Sequence, residues 1–353
     1  MASIPPARVA TPRPTPWYCN PPTLTPWVLC VILTLALGWM LRKNTVCAQR
    51  RAQSPGCQTK PLREPGYKLI SPLLTCDITR TQTSRILQPL EKTLLSFIEK
   101  EKAEKRVTKV SLYFRDYQKG AWVSISENEK YAPASLLKVP VLIAYLKLAE
   151  TDPAILMRRI TYTDPIDYNH DTHFTPRETL IQGRSYTIEE LLTRMIKHSD
   201  NKAASALIDR LDQKVLEEIY TDLGLVLPPA PTKEYVEFMT VKSYAYFFRV
   251  LYNATYLSRA MSEKALALLA GTDFEIGLKA GVPKNIEVAH KFGERTLFEI
   301  DSNLKDLHDC GVVYLPEHPY LLCIMTQGYD FETLADEIKQ ISQMIYADVR
   351  TNP

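Results

Sequence analysis

The order of helical and extended segments along this 353-residue chain predicts an α+β protein. A helix and two strands come first, a block of helices follows, and three strands and a final helix close the chain. One antiparallel sheet with helices on its faces satisfies such an order. We therefore expect a sheet flanked by the N- and C-terminal helices, an all-helical subdomain beside it, and a membrane segment that precedes the domain.

The N-terminal elements of the domain follow from the spacing of apolar side chains. Apolar residues recur at helical intervals over 86–98, which predicts the first helix. Two β-rich runs, 110–114 and 121–125, are separated by a short polar stretch that ends in glycine, and they predict a hairpin. The folded domain is thus expected to occupy residues 85–353.

The middle of the chain is predicted to be a block of helices. An apolar run at helical spacing begins at Ser135, and Pro133 suits the first turn of a helix. This setting places Ser135 at a helix N-terminus. A second helix is expected to begin at Thr187 and to run into a turn at 199–201, after which helical spacing resumes over 202–211.

The C-terminal half returns to extended structure. Helical spacing is found over 240–252, and apolar runs predict strands over 288–292, 312–315 and 320–326. An amphipathic stripe over 331–348 predicts the final helix. These elements complete the sheet and its covering helices.

The N-terminal region is expected to lie outside the folded domain. Residues 1–26 are rich in proline and are predicted to be disordered. Residues 27–41 carry no charge and precede Arg42 and Lys43, a pattern typical of a single membrane anchor, although their helix would span only about 22 Å of a ~30 Å hydrocarbon core. A cleaved signal peptide is the competing interpretation. Residues 42–84 are expected to form a linker.

Charge and cysteine content limit the possible partners. A net charge of +3, dispersed along the chain, provides no basic surface for nucleic acid. The spacing of Cys47, Cys57 and Cys76 suits neither zinc nor a redox pair. Cys310 and Cys323 fall on adjacent predicted strands, where they could face each other, but two free buried thiols are the plainer interpretation.

Three short motifs predict a site for acyl transfer. A serine and a lysine three residues apart share a helix face, a second serine and an amide can lie opposite, and another lysine can close the far wall. Such a site needs neither a metal nor a cofactor. Because serine and lysine are also three apart at Ser302 and Lys305, the prediction depends on the order and the combination of the motifs. The motifs are Ser135-Leu136-Leu137-Lys138, Ser199-Asp200-Asn201 and Lys291-Phe292-Gly293.

In the order of its three motifs and in the sequence around them, the chain resembles the class A β-lactamases and the related penicillin-recognising serine hydrolases. The resemblance extends over residues 86–350 and includes 116–135, 186–201 and 288–294. It implies a fold of the β-lactamase and DD-peptidase type. It also implies catalysis through an acyl-serine intermediate, without a cofactor.

The resemblance implies catalytic roles for three side chains. Ser135 would be the nucleophile that carries the acyl group. Lys138 would take the proton of that serine, because burial and the nearby positive charge of Lys291 are expected to lower its pKa. Ser199 would then pass a proton to the leaving nitrogen.

The resemblance also implies a set of substrate-binding residues. The side-chain amide of Asn201 would orient the catalytic lysine and the acylamide of the substrate, and Lys291 would hold the substrate carboxylate. The backbone N–H groups of Ser135 and Glu294 would form the oxyanion hole. Gly293 would allow the backbone to come close to the serine.

The sequence departs from the family pattern at two points. Phe292 replaces the threonine or serine whose hydroxyl would help to hold the substrate carboxylate. The loop with a glutamate and an asparagine, which positions the deacylating water in class A enzymes, is not recognisable between Gly224 and Thr240. Glu237, or else Glu234, is the candidate for the deacylating base, and a solvated loop carboxylate is the simpler interpretation of each.

Three functions remain compatible with these residues. The preferred one is a β-lactamase-like serine hydrolase that opens the β-lactam amide through an acyl-Ser135 intermediate, as in antibiotic resistance. The alternatives are a D-alanyl-D-alanine carboxypeptidase or transpeptidase that acts on cell-wall peptide, and a non-catalytic module that binds such peptide. The domain is expected to be monomeric.

The expected location of the domain depends on two conflicting observations. More basic residues follow the apolar segment 27–41 than precede it, and this bias favours a cytoplasmic domain. The preferred chemistry favours the opposite, periplasmic or extracellular side. We expect a single-pass protein with its domain on the outer side of the membrane.

Overall fold

A five-stranded antiparallel sheet with helices on both faces dominates the residues that this computed structural model describes, which are 62–75, 85–228 and 236–352. The strands are β1 (Lys109–Asp116), β2 (Trp122–Ile125), β3 (Arg159–Thr161), β4 (Ser185–Thr187), β5 (Val288–Thr296), β6 (Lys305–Val313) and β7 (Tyr320–Gly328). The helices are α1 (Gln88–Ala103), α2 (Lys138–Thr151), α3 (Ile188–Lys197), α4 (Asn201–Ile208), α5 (Gln213–Asp222), α6 (Val241–Tyr252), α7 (Arg259–Ala270) and α8 (Phe331–Thr351).

The main sheet has the strand order β2-β1-β7-β6-β5, and β3 pairs with β4 in a separate two-stranded sheet. All of these pairs are antiparallel. The predicted α+β architecture is therefore confirmed. Strand β5 lies at one edge, and its register places Lys291 opposite Cys310 and Gly293 opposite His308.

The main sheet separates two hydrophobic cores, and the side chains of each strand alternate between them. On β7, Leu322 and Ile324 face the core formed with α1 and α8, whereas Cys323 and Met325 face the helical block. The terminal helices thus cover one face, as the order of elements predicts. The other face carries the helices that hold the first two motifs.

The turn that carries Ser135 precedes α2 and is not part of it. Residues Ala134–Leu137 form a 3₁₀ turn, and α2 begins at Lys138. Ala134 has φ of +48°, in the left-handed region, which costs a residue with a Cβ about 1 kcal/mol. The expected helix start at Ser135 is therefore displaced to Lys138.

A tight turn joins α3 to α4 and presents the second motif. Thr187 caps α3 in a capping box with Glu190, at the predicted helix start. Between the helices Ser199 adopts φ of +55°, and the Asp200 side chain caps α4 by accepting from the N–H of Lys202. This conformation directs both the carbonyl and the hydroxyl oxygen of Ser199 towards the lysine of the first motif.

Several elements differ from the expectations. Strands β3 and β4 and helices α5 and α7 are not predicted by the sequence pattern. Strand β6 spans Lys305–Val313, whereas the expected strand covers 312–315. Its first half escapes prediction because Asp306, His308 and Asp309 are polar although they are fully buried.

Residues 62–75, which the sequence assigns to the linker, lie against the helical block. Leu69 and Ile70 are buried, and their N–H groups donate to the Glu263 carboxylate of α7 at 3.0 and 2.9 Å. The expected disordered segment 1–26 and membrane segment 27–41 lie outside the described residues. Within the described part of the chain, we find no helix that is long and apolar enough to cross a membrane.

Cys310 of β6 and Cys323 of β7 are joined by a disulfide bond. They are directly opposite in the sheet register, with their Cα atoms 3.9 Å apart. The expectation of two free buried thiols is therefore wrong. The register explains the pairing, since side chains of directly opposed residues lie on the same face of the sheet.

Candidate active site

Strand β5 lies directly against the turn that carries Ser135. A Cβ atom at Gly293 would come within 3.0 Å of the carbonyl oxygen of Pro133 and 3.1 Å of the backbone nitrogen of Leu136. A side chain at this position would require the strand and the serine turn to move apart by a few tenths of an ångström. Glycine in the third motif therefore has a steric cause.

Two side chains of β6 hold the segment that leads to Ser135. The Asp306 carboxylate accepts the backbone N–H of Ala132 at 3.0 Å, and His308 Nε2 donates to the carbonyl oxygen of Ala132 at 3.0 Å. Burial raises the pKa of Asp306 to about 7 and lowers the pKa of His308 to about 4. His308 is thus a neutral donor at pH 7, and both backbone groups of Ala132 are fixed three residues before the serine.

Lys138 lies at the centre of the site. Its Nζ donates to the carbonyl oxygen of Ser199 at 2.6 Å, to Ser199 Oγ at 3.1 Å and to Asn201 Oδ1 at 2.6 Å. Burial lowers the pKa of Lys138 to about 7, against the opposing field of Asp200. A lysine with this pKa is available as a proton acceptor near neutral pH.

Lys291 contacts the same hydroxyl from the opposite side. Its Nζ donates to Ser199 Oγ at 2.8 Å and to the carbonyl oxygen of Phe292 at 2.9 Å. Lys291 has no solvent exposure, and burial, together with the charge of Lys138, holds its pKa well below the usual value for lysine. The hydroxyl of Ser199 therefore lies between two amines that come from different motifs.

Asn201 is tied to the loop between β3 and β4. Its side-chain Nδ2 donates to the carbonyl oxygen of Tyr168 at 2.9 Å, and its backbone N–H donates to Asn169 Oδ1 at 2.9 Å. Asn169 Nδ2 in turn donates to the carboxylate of Asp200 at 2.7 Å. These bonds fix the amide of Asn201, and so the acceptor that it offers to Lys138.

The Glu294 side chain connects β5 to the same loop. Its carboxylate accepts the backbone N–H groups of His173 at 3.1 Å and Phe174 at 2.9 Å. Burial raises the pKa of Glu294, and these two backbone donors oppose that rise. The structure thus gives Glu294 a side-chain role that the sequence does not predict, and the role of its backbone N–H in an oxyanion hole stays a prediction.

Phe292 belongs to an aromatic cluster with Phe174 and Phe274. The rings of Phe274 and Phe292 stack with centroids 4.2 Å apart, and Phe174 meets Phe292 edge-on at 6.1 Å. Lys291 Nζ lies 4.2 Å from the centroid of the Phe292 ring. Where a hydroxyl would help to hold a carboxylate, this chain therefore has an apolar ring, and its lysine has a cation–π contact.

Glu237 is not brought into this group of residues. Its carboxylate accepts from Lys109 Nζ at 2.9 Å and from Gln327 Nε2 at 2.8 Å, at the ends of β1 and β7. These contacts give it a structural role, and its part in deacylation stays a prediction without support from the contacts. Glu234, the alternative, lies outside the described residues.

A cavity of about 440 Å³ opens beside Ser135 on the side of α4 and α5. Glu217 is the only acidic side chain among the described residues that line it, and its carboxylate accepts from Gln213 Nε2 at 2.9 Å. Most of the other lining side chains are apolar. The lining comprises Ala134, Ser135, Leu137, Lys138, Val141, Asn201, Ala204, Ile208, Gln213, Leu216, Glu217, Tyr220 and Leu227.

Other polar residues near the motifs have partners of their own. His198 Nδ1 is 2.5 Å from Asp273, and His290 Nδ1 is 2.8 Å from Asp309 in the sheet. Neither pair includes a serine. In the described ranges, no group of three or more His, Cys, Asp or Glu residues is arranged to hold a metal ion.

The structure thus brings Lys138, Ser199, Asn201 and Lys291 into one hydrogen-bonded network, with Ser135 and Gly293 beside it. A serine near a lysine of lowered pKa can be acylated. A second hydroxyl between two lysines can carry a proton to a departing nitrogen. The arrangement therefore has the parts that nucleophilic acyl transfer requires.

Sequence reasoning missed the residues that position this network. Asp306 and His308 hold the serine segment, and Asn169 holds the second motif. The first pair does leave a signal, because two polar residues two apart on a strand lie on one face. Asn169 leaves none, since its loop has no periodic pattern.

Solved structures of known proteins share this fold. PBP-A is 22% identical to this chain, with a TM-score of 0.62, and the match covers 75% of this chain and 97% of that one. A β-lactamase from Sphaerobacter thermophilus is 19% identical, with a TM-score of 0.62 and coverage of 74% and 98%. A mutant of PBP-A, solved as an acyl-enzyme complex with penicillin G, matches equally well at 22% identity and a TM-score of 0.62.

Comparison with the sequences of curated proteins gives no match. A family model described as the beta-lactamase enzyme family matches residues 89–349, which is most of the chain. This range includes all three motifs and all five strands of the main sheet. The chain therefore belongs to the beta-lactamase enzyme family.

Proposed function

We propose that this protein is a serine acyl-transfer enzyme that acts on D-alanyl-D-alanine-like peptides and is acylated at Ser135 by β-lactams. One observation carries the proposal: Ser199 Oγ lies 3.1 Å from Lys138 Nζ and 2.8 Å from Lys291 Nζ, and Lys138 lines the same cavity as Ser135. Two lysines on one hydroxyl provide both a base for the nucleophile and a proton path to the leaving group. The acyl-enzyme complex of a PBP-A mutant with penicillin G supports penicillin as a probe.

In the proposed reaction, neutral Lys138 removes the proton of Ser135 as its Oγ attacks the carbonyl carbon of the amide. The C–N bond of the tetrahedral intermediate then breaks, and Ser199 donates its proton to the leaving nitrogen. Lys138 returns the proton it took to Ser199 across their 3.1 Å hydrogen bond. Lys291 stabilises the Ser199 oxygen while its proton is absent.

Turnover requires a base that activates water on the acyl-enzyme, and the contacts offer little support for one. No carboxylate accepts a hydrogen bond from Lys138 Nζ, whose described acceptors are all uncharged. The carboxylate of Glu237 is bonded to Lys109 and Gln327 instead. We infer that the penicilloyl-enzyme is long-lived. This favours the peptidase or transpeptidase function over rapid β-lactam hydrolysis.

Efficient β-lactam hydrolysis remains the second candidate because of Glu217. This carboxylate lines the same cavity as Ser135 and Lys138, and its hydrogen bond to Gln213 leaves it exposed. A water molecule between Glu217 and the ester would have a base within the cavity. Glu217→Gln separates this candidate from the first, since it slows deacylation only if Glu217 is the base.

Time-resolved intact mass spectrometry of the full-length protein with penicillin G tests both candidates. A lasting adduct supports the peptidase function, and an adduct that decays within seconds supports a β-lactamase. The adduct is expected to be absent in Ser135→Ala and present in Ser302→Ala, the matched control in a second serine–lysine pair. No adduct in the wild type would contradict acylation and leave a non-catalytic binding module.

We also propose that the catalytic domain lies on the outer side of a membrane. The disulfide between Cys310 and Cys323 supports this location, because such bonds persist mainly in oxidising compartments. The proposed cell-wall substrate has the same requirement. Protease treatment of intact cells tests it: digestion of the domain is expected, and full protection before lysis would contradict it.

A further inference from the structure

The cavity beside Ser135 has a strongly apolar wall although it opens to solvent. Val141 of α2, Ala204 of α4 and Leu216 of α5 contribute apolar surface from three different helices. At its edge, Ile208 is 45% exposed and Leu227 is 40% exposed. When a ligand covers apolar side chains that face water around a concave site, the burial of their surface favours binding.

The position of the cavity distinguishes between the two halves of a substrate. Ser135, Lys138 and Asn201 line it, whereas Ser199 and Lys291 do not. Because Ser199 is the proposed donor to the leaving nitrogen, the leaving half must lie on the side of Ser199 and Lys291. The cavity is therefore left to the acyl half, the part that stays bonded to Ser135.

We propose that this cavity binds an apolar chain on the acyl half of the substrate, next to the carbonyl that Ser135 attacks. This inference rests on the proposed acylation of Ser135. The volume of the cavity, about 440 Å³, is in the range of ordinary small-molecule pockets. A chain in this position would cover Ile208 and Leu227, and it would also keep water from the acyl ester. The substrate class is thus narrowed to acyl donors with an apolar substituent.

A homologous series of p-nitrophenyl esters, from acetyl to octanoyl, tests the proposal on the full-length protein. In each reaction Ser135 Oγ bonds to the ester carbonyl, its proton goes to Lys138, and p-nitrophenolate leaves with the bonding electron pair. The burst of p-nitrophenolate gives the second-order rate constant of acylation, which is the acylation rate constant divided by the dissociation constant of the ester. We expect it to rise about fourfold with each added methylene until the cavity is filled.

Two variants assign the effect to this cavity. Ala204→Phe fills it, so the ratio of octanoyl to acetyl acylation is expected to fall at least tenfold. Ile208→Asn makes its edge polar and is expected to lower the same ratio severalfold, which decides the question if the larger side chain at Ala204 prevents folding. Ile181→Asn is the matched control, because Ile181 is 59% exposed and does not line the cavity.

The outcomes separate this inference from the proposed function. Equal acylation by all chain lengths, or an unchanged ratio in folded Ala204→Phe and in Ile208→Asn, overturns the inference while acylation itself stands. A loss of the ratio in Ile181→Asn overturns it as well, because the preference would then arise elsewhere. If neither penicillin G nor any ester labels Ser135, the proposed function fails first.

Discussion

Lys138 must lose a proton before it can accept one from Ser135. Because burial lowers the pKa of Lys138 to about 7, the neutral form is half populated near pH 7. We predict that the rate of acylation by penicillin G is constant above this pH and falls about tenfold for each pH unit below it. Stopped-flow or quenched-flow measurement of the penicilloyl adduct between pH 5 and 9 provides the profile.

A matched pair of arginine variants checks the origin of that profile. Lys138→Arg keeps a positive charge that is not lost at accessible pH, so acylation is expected to disappear at every pH tested. Lys305→Arg, in the second serine–lysine pair, is expected to leave the profile unchanged. A wild-type rate that does not depend on pH between 5 and 8 would show that Lys138 is not the base.

Phe292 replaces a hydroxyl with an aromatic ring, and its substitution separates binding from packing. Phe292→Thr is predicted to increase acylation by penicillin G about tenfold relative to its methyl ester, since a hydroxyl can donate to the carboxylate. The same change removes the stacked ring from Phe274 and is expected to lower the free energy of unfolding by about 3 kcal/mol.

Phe274→Leu is the control for this prediction. It disturbs the same aromatic cluster without adding a hydroxyl, so it is expected to lower stability and leave the ratio of acid to ester unchanged. An unchanged ratio in Phe292→Thr would mean that the substrate carboxylate does not approach this position. Chemical denaturation and adduct formation give the two quantities separately.

At the scale of elements, strand β6 controls the serine turn through Asp306. Its pKa is raised to about 7 by burial, from an ordinary value of 3.8. The unfolded chain therefore releases this proton first, and the contribution to stability is full below pH 3.8 and is lost as the pH rises to 7. We predict that wild-type protein loses on the order of 3 kcal/mol more than Asp306→Asn between pH 4 and pH 8.

Urea denaturation of both proteins at the two pH values measures this difference. Asp209→Asn, an exposed variant at the end of α4, is expected to behave like the wild type. A second readout is the acylation rate of Asp306→Asn above pH 7, which is expected to fall because the wild-type carboxylate is charged there and is the stronger acceptor for the N–H of Ala132. If both proteins lose the same stability, Asp306 does not carry the effect.

The predictability of the elements depended on whether their buried residues are apolar. Helices α1, α6 and α8 and strand β7 bury apolar side chains at regular spacing, so their sequences predict them. Strand β6 buries charged and imidazole side chains in its first half, and this reverses the usual signal. The 3₁₀ turn before α2 packs against Gly293, which is far away in sequence, and no local pattern of apolar residues reports such a contact.

At the scale of the whole molecule, the site forms where distant segments meet, and only part of that meeting is encoded in the motifs. The three motifs identify Lys138, Ser199 and Lys291, which the structure joins through one hydroxyl. The contacts of Asp306 and His308 with Ala132, and those of the loop that holds Asn201, join residues more than thirty positions apart in sequence. Asp306 and His308 leave a partial signal, because two polar residues two apart on a strand lie on one face. Asn169 lies in a loop without a periodic pattern, so sequence reasoning could not find its contact with Asn201.

Because of the disulfide, the stability of the whole domain depends on whether its surroundings are oxidising or reducing. Cys310 and Cys323 are 13 residues apart in sequence, and closing a loop of this size stabilises a protein by about 3 kcal/mol in the chain-entropy model. In the presence of a reductant, the domain is therefore predicted to unfold at a lower urea concentration than without the reductant. Cys310→Ala combined with Cys323→Ala is expected to be insensitive to reductant and less stable by a similar amount. Equal midpoints for the wild type with and without reductant would contradict the prediction and remove the disulfide as support for an oxidising compartment.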